Sequence, residues 1–186
     1  MIMRRCEWVG DEEIYINYHD EEWGKPVHDD KVHFEFIVLE SAQSGLSWIT
    51  ILKKRENYRK AYDDFDVNKV CEYSEERINE LLKNEGIVRN RRKIEASINN
   101  AKRFIEIQQE FGSFDNYIWR FVGGNPLINK LKDISELPAM TELSDVIAKD
   151  LKKRGFKFLG SITVYSYMQA VGLVNDHIIG CCSRDV

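Results

Sequence analysis

Lys83-Asn84-Glu85-Gly86-Ile87-Val88-Arg89-Asn90-Arg91-Arg92-Lys93 joins two runs of helical period. Upstream, Ser74 is an N-cap with Glu75 and Glu76 in the first turn, and Ile78, Leu81 and Leu82 repeat at three and four. Gly86 ends that helix. Downstream, Ile94, Ile98, Ala101 and Ile105 mark a long helix from about Arg91 to Phe111. The same period extends outward. Asp29 or Asp30 caps a helix with Phe34, Ile37, Val38 and Ser41 on one stripe, Trp48 to Arg55 continues helically after Gly45, and Asp66 starts a short helix at Val67. Gly112-Ser113 breaks the long helix and caps another carrying Phe114, Ile118, Phe121 and Val122. Ser144 starts a helix that Gly155 stops, and Ser161 to Val171 follows the helical pattern, although Ile162-Thr163-Val164-Tyr165 alone would pass for a strand. Leu127 to Pro138 shows no clear period. No repeat and no linker composition divides the chain. The expected fold is all-α, a single domain over residues 1–186 with room for two small helical lobes around a central cleft.

The composition narrows the function classes. No apolar run is long enough to span a membrane, and Met1-Ile-Met-Arg-Arg-Cys6 lacks an apolar leader core, so the expected location is cytoplasmic. Four cysteines in such a chain read as thiols or metal ligands more than as disulfides. The net charge of −4 argues against a large nucleic-acid surface, but Lys53-Lys54-Arg55, Arg89 to Lys93 and Lys152-Lys153-Arg154 concentrate base where one face could carry it.

Four features could carry chemistry. Cys6 and His19 near one end, with His177 and Cys181 near the other, form a tetrahedral Cys2His2 metal-ligand set. Their spacing is equally that of buried thiols and hydrogen-bonded imidazoles, and Cys182 could replace Cys181. Trp8, Tyr15, Tyr18, Trp23 and Trp48 either fill a core or form a slot for a flat ligand. Glu40 ends an otherwise apolar run, where it points to solvent or is buried with a partner. Finally, the turn around Gly86 offers backbone N–H groups and arginines to a phosphate. It resembles a helix-hairpin-helix element, although Val88 stands where that element's second glycine would be.

Taken in chain order, these residues resemble the DNA-3-methyladenine glycosylase I family, bacterial enzymes of alkyladenine repair. The matching blocks are Arg5-Cys6-x-Trp8, Tyr15-x-x-Tyr18-His19-Asp20-x-Glu22-Trp23-Gly24 and Leu39-Glu40-x-x-Gln43-x-Gly45-Leu46-Ser47-Trp48. They continue through Lys54-Arg55-x-x-Tyr58-Arg59, the Gly86 turn, Lys152 to Phe158, and Met168-Gln169-Ala170-x-Gly172-Leu173-Val174-Asn175-Asp176-His177. Ser41 and Ser44 depart from the family's usual glycine and alanine.

The resemblance implies a helix-hairpin-helix glycosylase fold whose N- and C-terminal segments are joined by one structural zinc on Cys6, His19, His177 and Cys181. It implies a base pocket with Glu40 as the catalytic residue, Tyr18 and Trp48 against the base, and Trp8 and Tyr15 lining it. Gly45 and Leu46 would form a wedge, and Gly86, Arg89 and Arg91 would hold the DNA backbone. The implied reaction is hydrolytic excision of 3-methyladenine from double-stranded alkylated DNA by a monomer, giving free base and an abasic site without strand cleavage. Two other readings need weighing: a non-catalytic helix-hairpin-helix DNA-binding module, and a zinc hydrolase with a second metal site at His28 and His33.

Overall fold

The computed structural model describes residues 4–184; the Met1-Ile-Met start, part of the leader reading, lies outside them. Among the described residues the helices are α1 (Glu13–Glu21), α2 (Asp30–Gln43), α3 (Trp48–Ala61), α4 (Val67–Val70), α5 (Glu75–Lys83), α6 (Arg91–Phe111), α7 (Phe114–Trp119), α8 (Glu142–Lys153) and α9 (Ser161–Ala170). Two short strands, β1 (Leu127–Ile128) and β2 (Val174–Asn175), pair in parallel with Leu127 opposite Val174. No described helix is long and apolar enough to cross a membrane.

The chain is mostly helical, as its periodicity predicts. Asp29, Asp66, Ser74 and Ser113 all accept backbone N–H bonds as N-caps. Ser144 does not start α8. Thr141 is the N-cap, and Ser144 completes a reciprocal capping box three residues later. Ile162 to Tyr165 lies inside α9, and α3 runs on past Arg55 to Ala61. Helix α1 and the strand pair have no counterpart in the sequence pattern.

Helix α2 departs most from its expected single apolar stripe. Every residue from His33 to Ala42 is buried, because α3, α6, α7 and α9 all pack against it. Two carboxylates are therefore carried inside. Glu35 meets Arg55 at 2.6 Å and Arg59 at 3.1 Å, and Arg55 also reaches Glu22 at 2.7 Å. Glu40 meets no cation.

The turn between α5 and α6 is braced by α3. Lys54 Nζ donates to the Glu85 carbonyl at 2.8 Å, and the Val88 N–H donates to Tyr58 Oη at 3.1 Å. Gly86 is required by a close approach, since a Cβ there would stand 2.8 Å from Asn57 Cβ. Gly86→Ala is accordingly expected to cost about 1–3 kcal/mol, seen as a fall of several degrees in Tm. An unchanged Tm would show that the turn has slack.

Candidate functional site

The quartet from the two ends of the chain comes together. Cys6 precedes a short 3-10 turn, His19 lies in the last turn of α1, and His177 and Cys181 follow β2. All four are buried, and their ligand atoms lie within 4.8 Å of one another. His19 Nε2 and His177 Nδ1 each lie 3.4 Å from Cys181 Sγ, and His177 Nδ1 is 3.7 Å from Cys6 Sγ. The opposite ring nitrogens are held from behind. His19 Nδ1 faces Asp20 at 2.7 Å, and Asp20 is gripped by Arg5, which lowers its carboxyl to about 2. His177 Nε2 donates to the Trp23 carbonyl at 2.9 Å. This tautomer aims Nδ1 inward, the usual arrangement behind a metal-ligating imidazole. Burial pushes the Cys6 thiol up to about 12 and His177 down to about 4. Thiolates in this site need a cation, and the donor set fits one. Cys182 Sγ turns instead toward Asp20 Oδ1, at 4.0 Å.

His28 and His33 do not make a second such cluster. Both contact Asp115, at 3.0 and 3.2 Å, and His33 Nδ1 meets Tyr167 Oη at 2.7 Å. The His33 bonds tie α2 to α7 and α9, and His28 ties the segment before α2 to α7. Among the described residues, the Cys6 quartet is the one group with metal-ligand geometry.

Beside the quartet is a cavity of about 160 Å³, walled by Trp8, Tyr15, Tyr18, Glu40 and Trp48. All five were singled out in the sequence. Tyr18 and Trp48 have ring centroids 5.4 Å apart, and Trp8 lies 5.1 Å from Tyr15. Trp8 also packs on His19 at 5.4 Å, so the quartet touches the wall directly. Glu40 is 4 % exposed, and burial alone pushes its carboxyl up to about 8. It has no hydrogen-bond partner among the described residues. The Trp8 and Trp48 indole N–H groups are likewise buried without partners. The cavity thus combines aromatic faces with polar groups that a ligand can satisfy.

Trp23, the remaining aromatic of the expected slot, lines the cavity too; sequence reasoning missed Gln43, Leu137, Ser166 and Gln169. Gln43 and Gln169 lie in matched blocks, but nothing in the sequence shows that they converge.

Helix α2 ends at the rim. Its carbonyls lead into a turn where Gly45 has φ +84° and Leu46 is 42 % exposed, so Leu46 is not a core residue. Lys93 Nζ donates to the carbonyls of Ala42 at 2.7 Å and Ser44 at 2.6 Å, binding this turn to α6. Arg89 is exposed and only loosely paired with Glu85 at 3.5 Å. Arg91 is more committed, to Glu75 at 2.8 Å, Asn79 at 2.8 Å and Glu95 at 3.4 Å. The α8–α9 turn presents Lys152, Lys157 and a half-exposed Phe158 around a surface depression. From there α9 runs back to Ser166 and Gln169 in the cavity wall.

Comparison with known proteins agrees with this geometry. Residues 8–184 match the model of the methyladenine glycosylase family. DNA-3-methyladenine glycosylase 1 of Escherichia coli (strain K12) is 49 % identical over 97 % of this chain and 96 % of its own. A crystal structure of 3-methyladenine DNA glycosylase I superposes with a TM-score of 0.94 at 50 % identity, covering 96 % of this chain and 98 % of that one. The Staphylococcus aureus enzyme, solved to explain 3-methyladenine recognition, gives 0.95 at 38 % identity over 100 % of this chain and 99 % of its own. With the sequence blocks, the fold and the cavity in agreement, the chain belongs to the methyladenine glycosylase family.

Proposed function

We propose that this protein excises 3-methyladenine from double-stranded alkylated DNA as a single-domain monomer. The lesion nucleotide is flipped into the cavity, and its glycosidic bond is hydrolysed to leave free base and an abasic site. The observation that carries this reading is Glu40, a buried carboxylate without a partner in a wall of aromatic rings. Such a site is unfavourable when empty and favourable for a flat cation. The solved relative from Staphylococcus aureus, described by its recognition of 3-methyladenine, supports the same ligand class.

Methylation at N3 places positive charge on adenine, and the base leaves neutral, so a strong general acid is unnecessary. Flipping costs a few kcal/mol, less for a lesion. Leu46 on its glycine turn fills the vacated stack, while Gly86, Arg89 and Arg91 grip the backbone. Tyr18 and Trp48 stack on the cationic ring, worth about 0.5–2 kcal/mol each. Glu40 accepts from the base's amino group and offsets its charge, a recognition and electrostatic role more than proton transfer. No lysine lines the cavity among the described residues, which supports a monofunctional enzyme.

Cys6, His19, His177 and Cys181 would hold one zinc ion. Zinc–sulfur bonds of about 2.3 Å and zinc–nitrogen bonds of about 2.05 Å in a tetrahedron put sulfur and nitrogen about 3.6 Å apart. Three sulfur–nitrogen separations, at 3.4, 3.4 and 3.7 Å, bracket that value, and all four ligand atoms lie within 4.8 Å of one another. With four protein ligands the ion supplies charge compensation and cross-linking, not an activated water. The chain's own residues do the rest: His19 and Cys6 fix the segment that carries Trp8, Tyr15 and Tyr18.

The test is incubation with methylated duplex DNA. Free 3-methyladenine should appear well above the spontaneous rate, and strands should break only after alkaline treatment. Release no faster than without protein would reject the reading and favour a non-catalytic DNA-binding module, which has no need of this cavity.

A further inference from the structure

Gln169 is fixed in one orientation by a carboxylate behind it. Asp176 is 1 % exposed and accepts from three neutral donors: Gln169 Nε2 at 2.8 Å, Tyr165 Oη at 2.7 Å and Asn129 Nδ2 at 2.6 Å. Asn129 directly follows β1 and Asp176 directly follows β2, so the parallel pairing of the two strands sets this contact. A carboxylate only accepts, so the amide nitrogen of Gln169 must face Asp176 and its carbonyl must face away. Gln169 lines the cavity, and its Oε1 has no hydrogen-bond partner among the described residues. The cavity thus holds a second, neutral acceptor besides Glu40, locked by Asp176, Tyr165 and Asn129, which do not line the cavity.

We propose that Gln169 is a specificity-determining residue, whose carbonyl, oriented by Asp176, selects a purine with an amino group over one with an oxo group at that edge. An exocyclic amino group donates to Oε1. An oxo group there would set two acceptors against each other and leave both without a donor, a mismatch that sites of this kind reject strongly. Asp176 acts as a positioning residue, through Gln169 alone. The inference rests on the base-pocket reading above and adds to it a preference for 3-methyladenine over 3-methylguanine.

The experiment titrates free 3-methyladenine and 3-methylguanine against tryptophan fluorescence in wild type, Gln169→Met and Asp176→Asn, with Tm and bound metal measured alongside. Wild type should prefer 3-methyladenine by at least about tenfold, the worth of one well-placed hydrogen bond. Gln169→Met keeps side-chain length, and the preference should shrink by about tenfold, chiefly through weaker 3-methyladenine binding. Asp176→Asn lets the Gln169 amide reverse, and the preference should fall likewise with metal content unchanged. If Asp176→Asn does not fold, Gln169→Met decides alone. An unchanged ratio in Gln169→Met, or equal loss for both bases, overturns the assignment. No wild-type response to either base would overturn it too, but through failure of the base-pocket reading itself.

Discussion

Replacing Glu40 with glutamine is expected to lower excision of 3-methyladenine by at least about a hundredfold and, above neutral pH, to make the protein more stable. Both effects have one origin. The carboxyl is buried, meets no cation, and is pushed up to about 8. The sign follows from proton counts. Between the unfolded value near 4.5 and the folded value near 8, the folded protein holds a proton that the unfolded chain has lost. Stability from this group is intact below about 4.5, declines as pH rises, and is fully lost above about 8. The cost in the ionised, empty pocket is about 5 kcal/mol. Glutamine cannot ionise, so the variant and wild type should have similar Tm near pH 5 and diverge by several degrees at pH 9. The activity loss comes from a cationic base left without its counter-charge. One such pair at partly buried distance is worth about 4 kcal/mol, so a hundredfold loss is a conservative figure. In wild type, binding the cation draws the carboxyl into its ionised form and releases a proton, so affinity should climb as pH approaches 8. Thermal scans and single-turnover excision across pH check the set. A stability gain that does not vary with pH, or a fully active variant, would remove Glu40 from this role.

Cys6→Ser, or removal of metal by a chelator, is expected to lower Tm by about 10 °C and to abolish 3-methyladenine binding. A zinc-finger peptide gains about 10–16 kcal/mol from its ion, but here one connected apolar cluster already extends from Cys6 to Cys181. A net contribution of about 3–5 kcal/mol is the reasonable scale, which for a chain of this size corresponds to the stated fall in Tm. Binding should be lost because Trp8 packs on His19 at 5.4 Å and on Trp23 at 5.0 Å. Releasing the quartet frees one wall of the cavity. Metal retention should also weaken as pH falls, since the thiols must give up protons to bind. Cys182→Ser should leave metal content, Tm and binding as in wild type. One metal per chain in Cys6→Ser, or none in Cys182→Ser, would reassign the ligands.

Much of this was legible from residue types and their period. Caps at Asp29, Asp66, Ser74 and Ser113 and the long run from Arg91 to Phe111 are local signals. The quartet and the five expected wall residues come together because each lies in a distinctive block. What was hidden is set by contacts between distant segments. Leu127–Ile128 shows no period because two residues cannot, and its strand character exists only opposite Val174–Asn175. Helix α1 reads poorly because Tyr15, Tyr18 and His19 serve the cavity and the quartet, not an apolar stripe. Gln169 has no signature of its own. Its role depends on Asp176, held in turn by Asn129 and Tyr165 from other elements. Glu40 was ambiguous between solvent and interior, and only the enclosure of α2 from all sides settled it.

The two bonds from Lys93 to the carbonyls of Ala42 and Ser44 have a consequence for how such a protein searches DNA. They join α6 and the Leu46 turn into one stiff piece. A stiff probe gives up no conformational freedom when pressed against a duplex, so the outcome of each encounter depends on how readily the base step yields. On the proposed reading, weakly stacked steps would open and sound ones would push the probe back. Damage would thereby be sorted by mechanical compliance along the duplex before any base reaches the chemistry that reads it.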